Sequence, residues 1–119
     1  MFFTLNLPSS VHVKAATYGT PRVGNPAWAA FFDSNVPDFV RINNKKDPVP
    51  TIPGRFLDFR HPHGEIHIAG PAEAYLCPGD DDATDSQCSV SQVPSIVESH
   101  VDDHSGPYEG IFIGTAYCT

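Results

Sequence analysis

The sequence predicts a single α/β domain with parallel strands, and three observations support that prediction. A helical pattern stands between two strand patterns near the N-terminus, an order typical of a β-α-β unit in a parallel sheet. The length of 119 residues suits one domain at most, and a hydrophobic content of 40% can fill a core. The 9 glycines and 12 prolines predict many turns, and no apolar run approaches the roughly 18 residues of a transmembrane helix.

The β-α-β unit is predicted within residues 11–43. Alternation and β-branched residues predict a strand over residues 11–18. Asn25 suits a helix N-cap and Pro26 is tolerated at the first helical position, so a helix is expected to begin there. Three aromatic residues spaced by three and four positions form its apolar face: Trp28, Phe31 and Phe32. Residues 39–43 are then predicted to form a second strand.

The rest of the chain predicts loops with a few short elements. Prolines hold residues 47–54 in a stiff loop. Residues 56–59 and 65–68 are predicted to be the two strands of a hairpin, because a proline and a glycine between them favour a turn. Residues 71–91 are expected to be a loop-rich excursion, and residues 96–101 a short helix.

The charge distribution argues against a nucleic-acid partner. The formal net charge is −7, all seven lysines and arginines lie in residues 1–60, and residues 61–119 carry ten acidic residues. This pattern predicts an acidic surface rather than a phosphate-binding face. The acidic run at residues 80–85 is expected to be a solvated loop, because no glycine or glutamate follows at the spacing of an EF-hand calcium loop.

The cysteines favour an oxidising, extracellular compartment. Cys77 and Cys88 lie in a polar stretch, as the cysteines of a stapled surface loop do, and Cys118 is left without a partner. The alternative is three free thiols in a cytosolic protein. Residues 1–8 lack the basic and apolar regions of a secretion signal, so we expect this sequence to lack the front of its parent protein.

Two further motifs contain residues that are typical of binding sites. Residues 19–26 lie between a strand and a helix, but they lack the lysine and hydroxyl residue of a Walker loop, so a tight turn is expected. Three histidines and a glutamate alternate within residues 61–67 and would share one face of a continuous strand. A zinc or iron site formed by His61, His63 and His67 is therefore an alternative, although the intervening proline and glycine predict a turn.

A second candidate site consists of Asp47 and His104. Asp47 follows the carboxyl end of a predicted parallel strand, where sites form in open α/β sheets, and prolines hold its loop in one shape. A rigid carboxylate is what a catalytic histidine needs to fix its tautomer. Aspartate before histidine also matches the latter part of the Ser, Asp/Glu, His order of α/β-hydrolases. Taken singly, the two residues are an ordinary turn aspartate and a surface histidine.

Four stretches, in the same order, resemble the fungal class 3 lipases, a family that includes triacylglycerol lipases and feruloyl esterases. They are TYGTPRVGN at residues 17–25, NKKDPVP at 44–50, HPHGEIHI at 61–68 and DHSGPYEG at 103–110. The resemblance covers about residues 10–119. It implies a partial α/β-hydrolase fold, namely the C-terminal part of the sheet with a loop-rich, disulfide-stapled excursion.

The resemblance implies a serine ester hydrolase in which Asp47 is the triad acid and His104 the triad base. It also implies a Cys77–Cys88 disulfide, and it pairs Cys118 with a cysteine near the parent's N-terminus. The substrate is then an acylglycerol or another ester at a lipid–water interface, no metal or organic cofactor is needed, and the parent is secreted. The apolar residues expected along the substrate groove are Val49, Ile52 and Val101.

The sequence departs from the family at the nucleophile. No serine of the 119 residues lies in the Gly-x-Ser-x-Gly pattern that holds the family's nucleophile. We therefore expect residues 1–119 to be a single partial domain, the C-terminal half of a lipase-like hydrolase, inactive by itself. Two alternatives stay open: an inactive remnant, and a non-catalytic metal- or ligand-binding module that uses His61, His63 and His67.

Overall fold

A four-stranded sheet forms the centre of the computed structural model, which describes residues 1–79, 81 and 84–114. The strands are Ala15–Tyr18 (β1), Phe39–Asn44 (β2), Glu65–Gly70 (β3) and Glu73–Leu76 (β4). The α-helices are Phe2–Asn6 (α1), Pro26–Asn35 (α2) and Ser89–Gln92 (α3). Short 3-10 helices occupy Val49–Thr51, Arg55–Leu57, Ile96–Glu98 and Val101–His104. Within the described ranges, every helix is too short or too polar to cross a bilayer.

The strands follow the order β1-β2-β3-β4 across the sheet. β1 pairs parallel with β2, with Tyr18 opposite Ile42, and β2 pairs parallel with β3, with Asn44 opposite Ile68. β4 is antiparallel to β3. The predicted β-α-β unit is confirmed, with a first strand that begins at Ala15 rather than at residue 11. The carboxyl ends of β1, β2 and β3 therefore meet at one edge of the sheet.

α2 begins at the predicted place because Asn25 caps it. The Asn25 side-chain oxygen accepts a hydrogen bond from the Trp28 amide at 2.9 Å. The Trp28 and Phe32 rings lie 5.4 Å apart, and Phe32 makes an edge contact with Phe39 of β2 at 4.8 Å. The predicted apolar face was wrong for Phe31, which is 50% exposed. Phe31 precedes Phe32 by one position, a rotation of about 100° around the helix, and so leaves the face that packs on β2.

The predicted hairpin between residues 56–59 and 65–68 is wrong. Arg55–Leu57 form a 3-10 helix instead, and β3 pairs in parallel with β2. The pairing starts at Gly64, whose carbonyl accepts a hydrogen bond from the Arg41 amide at 2.8 Å. Gly64 has φ +85°, and a Cβ there would lie 2.3 Å from a β2 carbonyl oxygen. A glycine is therefore required for β3 to approach β2 this closely.

The excursion over residues 71–91 contains more regular structure than predicted, namely β4 and α3. The Cys77–Cys88 disulfide joins the end of β4 to the start of α3, with the two Cα atoms 5.8 Å apart. The helix predicted over residues 96–101 is replaced by parts of two 3-10 helices, because the backbone of Ser99 is extended between them.

Two ion pairs are buried in the interior of the protein. Arg22 binds both carboxylate oxygens of Asp81, at 2.5 Å through Nε and 2.8 Å through Nη2. Nη1 of Arg41 binds Oε2 of Glu65 at 2.9 Å. All four side chains are at most 2% exposed. Burial works to raise the pKa values of Asp81 and Glu65, but the hydrogen bonds and charges around them, chiefly from the arginines, outweigh it and lower both.

The expected solvated loop at residues 80–85 is wrong for Asp81. Asp81 is completely buried, because the Arg22 guanidinium compensates its charge. Asp85 instead accepts a hydrogen bond from the Gln87 amide at 2.9 Å, at the protein surface. Three residues covered by the sequence-based expectations lie outside the described ranges, namely two aspartates of this acidic run and the third cysteine: Asp80, Asp82 and Cys118.

Candidate active site

Asp47 stands just beyond the carboxyl end of β2. Its amide donates a hydrogen bond to the Asn44 carbonyl at 3.0 Å, and its Oδ1 accepts one from the Val49 amide at 2.8 Å. These two bonds form a tight turn in which an aspartate binds the backbone two residues ahead. The side chain is completely buried. The turn therefore holds the carboxylate in one orientation, with Oδ2 directed at a different part of the chain.

His104 is the partner of Asp47. It is the last residue of the 3-10 helix Val101–His104, 57 positions further along the chain. Nδ1 of its imidazole lies 3.0 Å from Asp47 Oδ2. The carboxylate can accept the Nδ1–H and so hold the neutral ring in one tautomer. The His104 side chain is 43% exposed and that of Asp47 is 0% exposed, so a buried acid orients an imidazole that solvent can reach.

Gly19, the first residue after β1, leaves the space that the pair occupies. A Cβ on Gly19 would lie 2.7 Å from His104 Nδ1 and 2.8 Å from Asp47 Oδ2. Its backbone has φ +53°, which costs a residue with a side chain more than it costs glycine. The Gly19 amide donates to the Ile42 carbonyl of β2 at 2.9 Å. Three segments therefore meet at the Asp47–His104 pair: the end of β1, the loop after β2 and the segment that contains His104.

Burial dominates the electrostatics of this site. It raises the pKa of the Asp47 carboxyl above the usual value, an effect that the His104 and Val49 hydrogen bonds reduce and the Asp103 charge increases. Burial, together with the charges of Asp47 and Asp103, also raises the pKa of Tyr108 to about 12. Tyr108 is therefore a neutral phenol, and its hydroxyl donates to the His104 carbonyl at 3.2 Å.

The histidines of the alternative metal site do not form the shared face that this alternative requires. Each ring binds a protein partner of its own: His61 the Pro50 carbonyl, His63 the Asp33 carboxylate, and His67 the Lys45 and Gln87 carbonyls. Burial lowers the pKa of His61 to about 4, so this ring is neutral and donates to its carbonyl from Nε2. Within residues 1–79, 81 and 84–114, the only compact set of potential ligands is Glu65, Cys77 and Cys88, whose two thiols form the disulfide.

A cavity of about 650 Å³ opens beside the loop that follows Asp47. Ile52, one of the three expected groove residues, lines it. Val49 and Val101 are not among the residues that line this cavity. They flank the site through the chain instead, since Val49 follows Asp47 by two positions and Val101 precedes His104 by three. The three expected groove residues thus do not share this cavity.

The Asp47–His104 pair is predictable from the sequence, but the side chains and backbone that support it were not predicted. Gly19 had a usable signal, because a glycine directly after a strand stands where sites form in parallel sheets. Asp103 and Tyr108 lie in the stretch that contains His104, but no local pattern indicates their partners. Tyr108 reaches the His104 carbonyl only because the chain turns back between them.

Known proteins resemble this chain over most of its length. A family model described as lipase (class 3) matches residues 1–57. A secreted mono- and diacylglycerol lipase of Malassezia globosa is 36% identical over 105 residues, which are 85% of this chain and 32% of the relative. The chain thus spans about a third of the length of that curated relative.

Two solved structures extend the likeness to the fold. Lipase II from Rhizopus niveus matches with a TM-score of 0.80 and 28% identity, covering 94% of this chain and 41% of that chain. A triacylglycerol lipase whose catalytic centre is formed by a serine protease triad matches with a TM-score of 0.67 and 34% identity. The second match covers 83% of this chain and 36% of that chain.

Proposed function

The chain belongs to the fungal class 3 lipase family, and from that premise we propose that Asp47 and His104 are the acid and base of an ester-hydrolysing Ser-His-Asp triad. The chain has a partial α/β-hydrolase fold. The observation that carries the proposal is the 3.0 Å contact between His104 Nδ1 and the buried Asp47 Oδ2. A buried carboxylate that orients an accessible imidazole is the arrangement that activates the serine of such a triad.

The two side chains divide the chemistry between them. Asp47 accepts the Nδ1–H of His104 and leaves Nε2 unprotonated, so that Nε2 can act as a base. Nε2 takes the proton of a serine hydroxyl as the serine oxygen attacks the ester carbonyl carbon. It then gives that proton to the alcohol, which leaves as the acyl-enzyme forms. A water molecule repeats both steps on the acyl-enzyme and releases the carboxylic acid and the free serine, while Asp47 stabilises the imidazolium in each step.

The serine nucleophile is proposed to come from a part of the parent protein outside this sequence. Ser105 is next to His104, but it follows a 3-10 helix rather than standing on a strand-to-helix elbow. β1 lies at one edge of the sheet, where a further strand that carries the serine could pair with it. On this proposal the 119-residue chain has no esterase activity by itself.

The proposed substrate of the parent is an acylglycerol at a lipid–water interface, with no metal or organic cofactor. The supporting observation is that the matched relatives are named as a mono- and diacylglycerol lipase and a triacylglycerol lipase. Val49, Ile52 and Val101 are proposed to border the acyl chain, since Ile52 lines the cavity of about 650 Å³ and is 41% exposed, and Val101 is 70% exposed. Secretion of the parent is supported by the relative's name and by the disulfide, which is typical of oxidising compartments.

The test compares the 119-residue chain with a form extended at its N-terminus through a Gly-x-Ser-x-Gly segment of the same gene. Only the extended form is expected to hydrolyse p-nitrophenyl butyrate and to react with a fluorophosphonate probe. His104→Ala in the extended form should abolish turnover. Asp47→Asn should lower kcat by about 10⁴, because the ring then takes the wrong tautomer.

His12→Ala is the matched control, since this histidine is 74% exposed and pairs with Asp38 away from the site. It should leave kcat unchanged. Turnover by the short chain that His104→Ala abolishes would mean that the serine lies within these 119 residues. Full activity of the extended His104→Ala form would exclude His104 as the base.

A further inference from the structure

We propose that Asp103 is a positioning residue that holds His104 against Asp47, an inference that rests on the proposed function and adds to it. Asp103 immediately precedes His104, and Lys46 immediately precedes Asp47. Oδ2 of Asp103 accepts a hydrogen bond from the Lys46 amide at 3.1 Å. This bond links the residue directly before His104 to the residue directly before Asp47.

Two more hydrogen bonds fasten the same segments. Nδ2 of Asn44 donates to the Asp103 carbonyl at 2.9 Å, and Asn44 is completely buried at the end of β2. The His100 amide donates to the Lys46 carbonyl at 2.8 Å. The Lys46 residue is thus bound on both its N–H and its carbonyl by the segment that leads into His104. Residues 100–103 are thereby hydrogen-bonded to residues 44–46, at the end of β2, the strand that leads into Asp47.

The position of the His104 ring matters because a small displacement would break its hydrogen bond to Asp47. Gly19 bounds the pair so closely that a single Cβ would lie 2.7 Å from His104 Nδ1. The Nδ1–Oδ2 distance is 3.0 Å, and a shift of 1 Å would take it to about 4 Å, beyond hydrogen-bond range. Loss of the Asp103 carboxylate removes the hydrogen bond from the Lys46 amide, which is the bond between the residues directly before His104 and Asp47.

The Asp103 carboxylate also contributes through its charge. Burial is the main cause of the raised Asp47 pKa, and the Asp103 charge raises it further. The Asp103 side chain is only 15% exposed, so water screens its charge weakly. A carboxylate with a raised pKa is more basic and accepts the Nδ1–H of His104 more strongly. Asp103 therefore supports the pair by both position and charge.

The test measures which ring nitrogen of His104 carries the proton in the 119-residue chain. The method is NMR of ¹⁵N-labelled histidine at about pH 8, where free imidazole is neutral. The unsubstituted chain is expected to carry the His104 proton on Nδ1. Asp103→Ala is expected to shift at least half of the population to the Nε2–H tautomer. Asp103→Asn keeps an oxygen acceptor for the Lys46 amide and should retain the Nδ1–H form. Asp102→Ala is the matched control, because this exposed carboxylate lies on the same 3-10 helix.

An unchanged tautomer population in Asp103→Ala, or an equal shift in Asp102→Ala, would overturn the proposal. A merely structural Asp103 would lower the urea midpoint without moving the tautomer. If Asp103→Ala does not fold, Asp103→Ser decides by the same NMR measurement, because the shorter serine side chain keeps a polar group but loses the bond to the Lys46 amide, and an unchanged tautomer population overturns the proposal. Absence of Nδ1–H in the unsubstituted chain would also overturn it, whereas Nδ1–H with no hydrolysis by the extended form contradicts only the proposed function.

Discussion

Arg22→Met is expected to lower the free energy of unfolding of this chain by about 3–5 kcal/mol, the usual cost of breaking a buried ion pair from one side. The guanidinium makes two hydrogen bonds to the Asp81 carboxylate. It makes two more to the carbonyls of Thr51 and Pro53, in the loop that follows Asp47. The Arg22 and Asp81 side chains are 2% and 0% exposed, so bulk water does not screen this ion pair.

Several contributions determine how much unfolding free energy Arg22→Met loses. The unpaired Asp81 carboxylate is the largest, and each orphaned carbonyl adds about 1–3 kcal/mol before relaxation. Protonation of Asp81 limits the sum, because burial raises the pKa of this carboxyl once the opposing guanidinium is gone. In the unsubstituted chain the folded pKa of Asp81 is lowered below its usual 3.8. The pair's contribution is therefore complete above pH 3.8, is lost as the pH falls through the lower folded value, and is absent from Arg22→Met.

The assay is urea unfolding at pH 7, followed by far-ultraviolet circular dichroism. Arg22→Met/Asp81→Leu should be more stable than Arg22→Met alone, because it removes the uncompensated charge. Lys14→Met is the control, since it breaks an exposed pair with Asp38 at 3.8 Å and should leave the midpoint unchanged. A loss below about 1 kcal/mol in Arg22→Met, or a double variant no more stable than the single one, would refute the reasoning.

Three further predictions concern the site and its surroundings. Gly19→Ala would place a methyl group 2.7 Å from His104 Nδ1, so it should separate the pair and destabilise the chain by about 1–3 kcal/mol; an unaltered His104 NMR signal would contradict this. The folded pKa of His61 is about 4 against 6.5, so the unfolded chain binds a proton that the folded chain does not, and stability should fall by roughly 3 kcal/mol between pH 6.5 and 4. His61→Gln should flatten that part of a urea-midpoint profile, and an unchanged slope would count against the burial argument. Replacing both Cys77 and Cys88 by serine opens a loop with a sequence separation of 11 and should cost about 3 kcal/mol; thiol titration of the unsubstituted, unreduced chain should find one reactive thiol, and three would show that the disulfide had not formed.

Local signals in the sequence were sufficient for the N-terminal part of the fold. The cap at Asn25, the aromatic spacing of α2 and the alternation before it act within a few residues, so the β-α-β unit could be predicted without knowledge of distant contacts. Asp47 could also be found, because its place after β2 and the prolines that follow it are properties of one short segment. His104 depended on chain order and on the family resemblance, since nothing local distinguishes it from a surface histidine.

Tertiary structure alone decided the features that join distant segments. Residues close in sequence suggested a hairpin for β3, but Gly64 permits an approach to β2 that a side chain would block. An acidic run suggested solvation for Asp81, but Arg22, 59 positions earlier in the chain, compensates its charge in the interior. The 3.0 Å contact between Asp47 and His104 spans 57 positions. Periodicity and caps report on neighbours along the chain, whereas these three contacts depend on how closely the folded backbone and side chains pack, which no local pattern records.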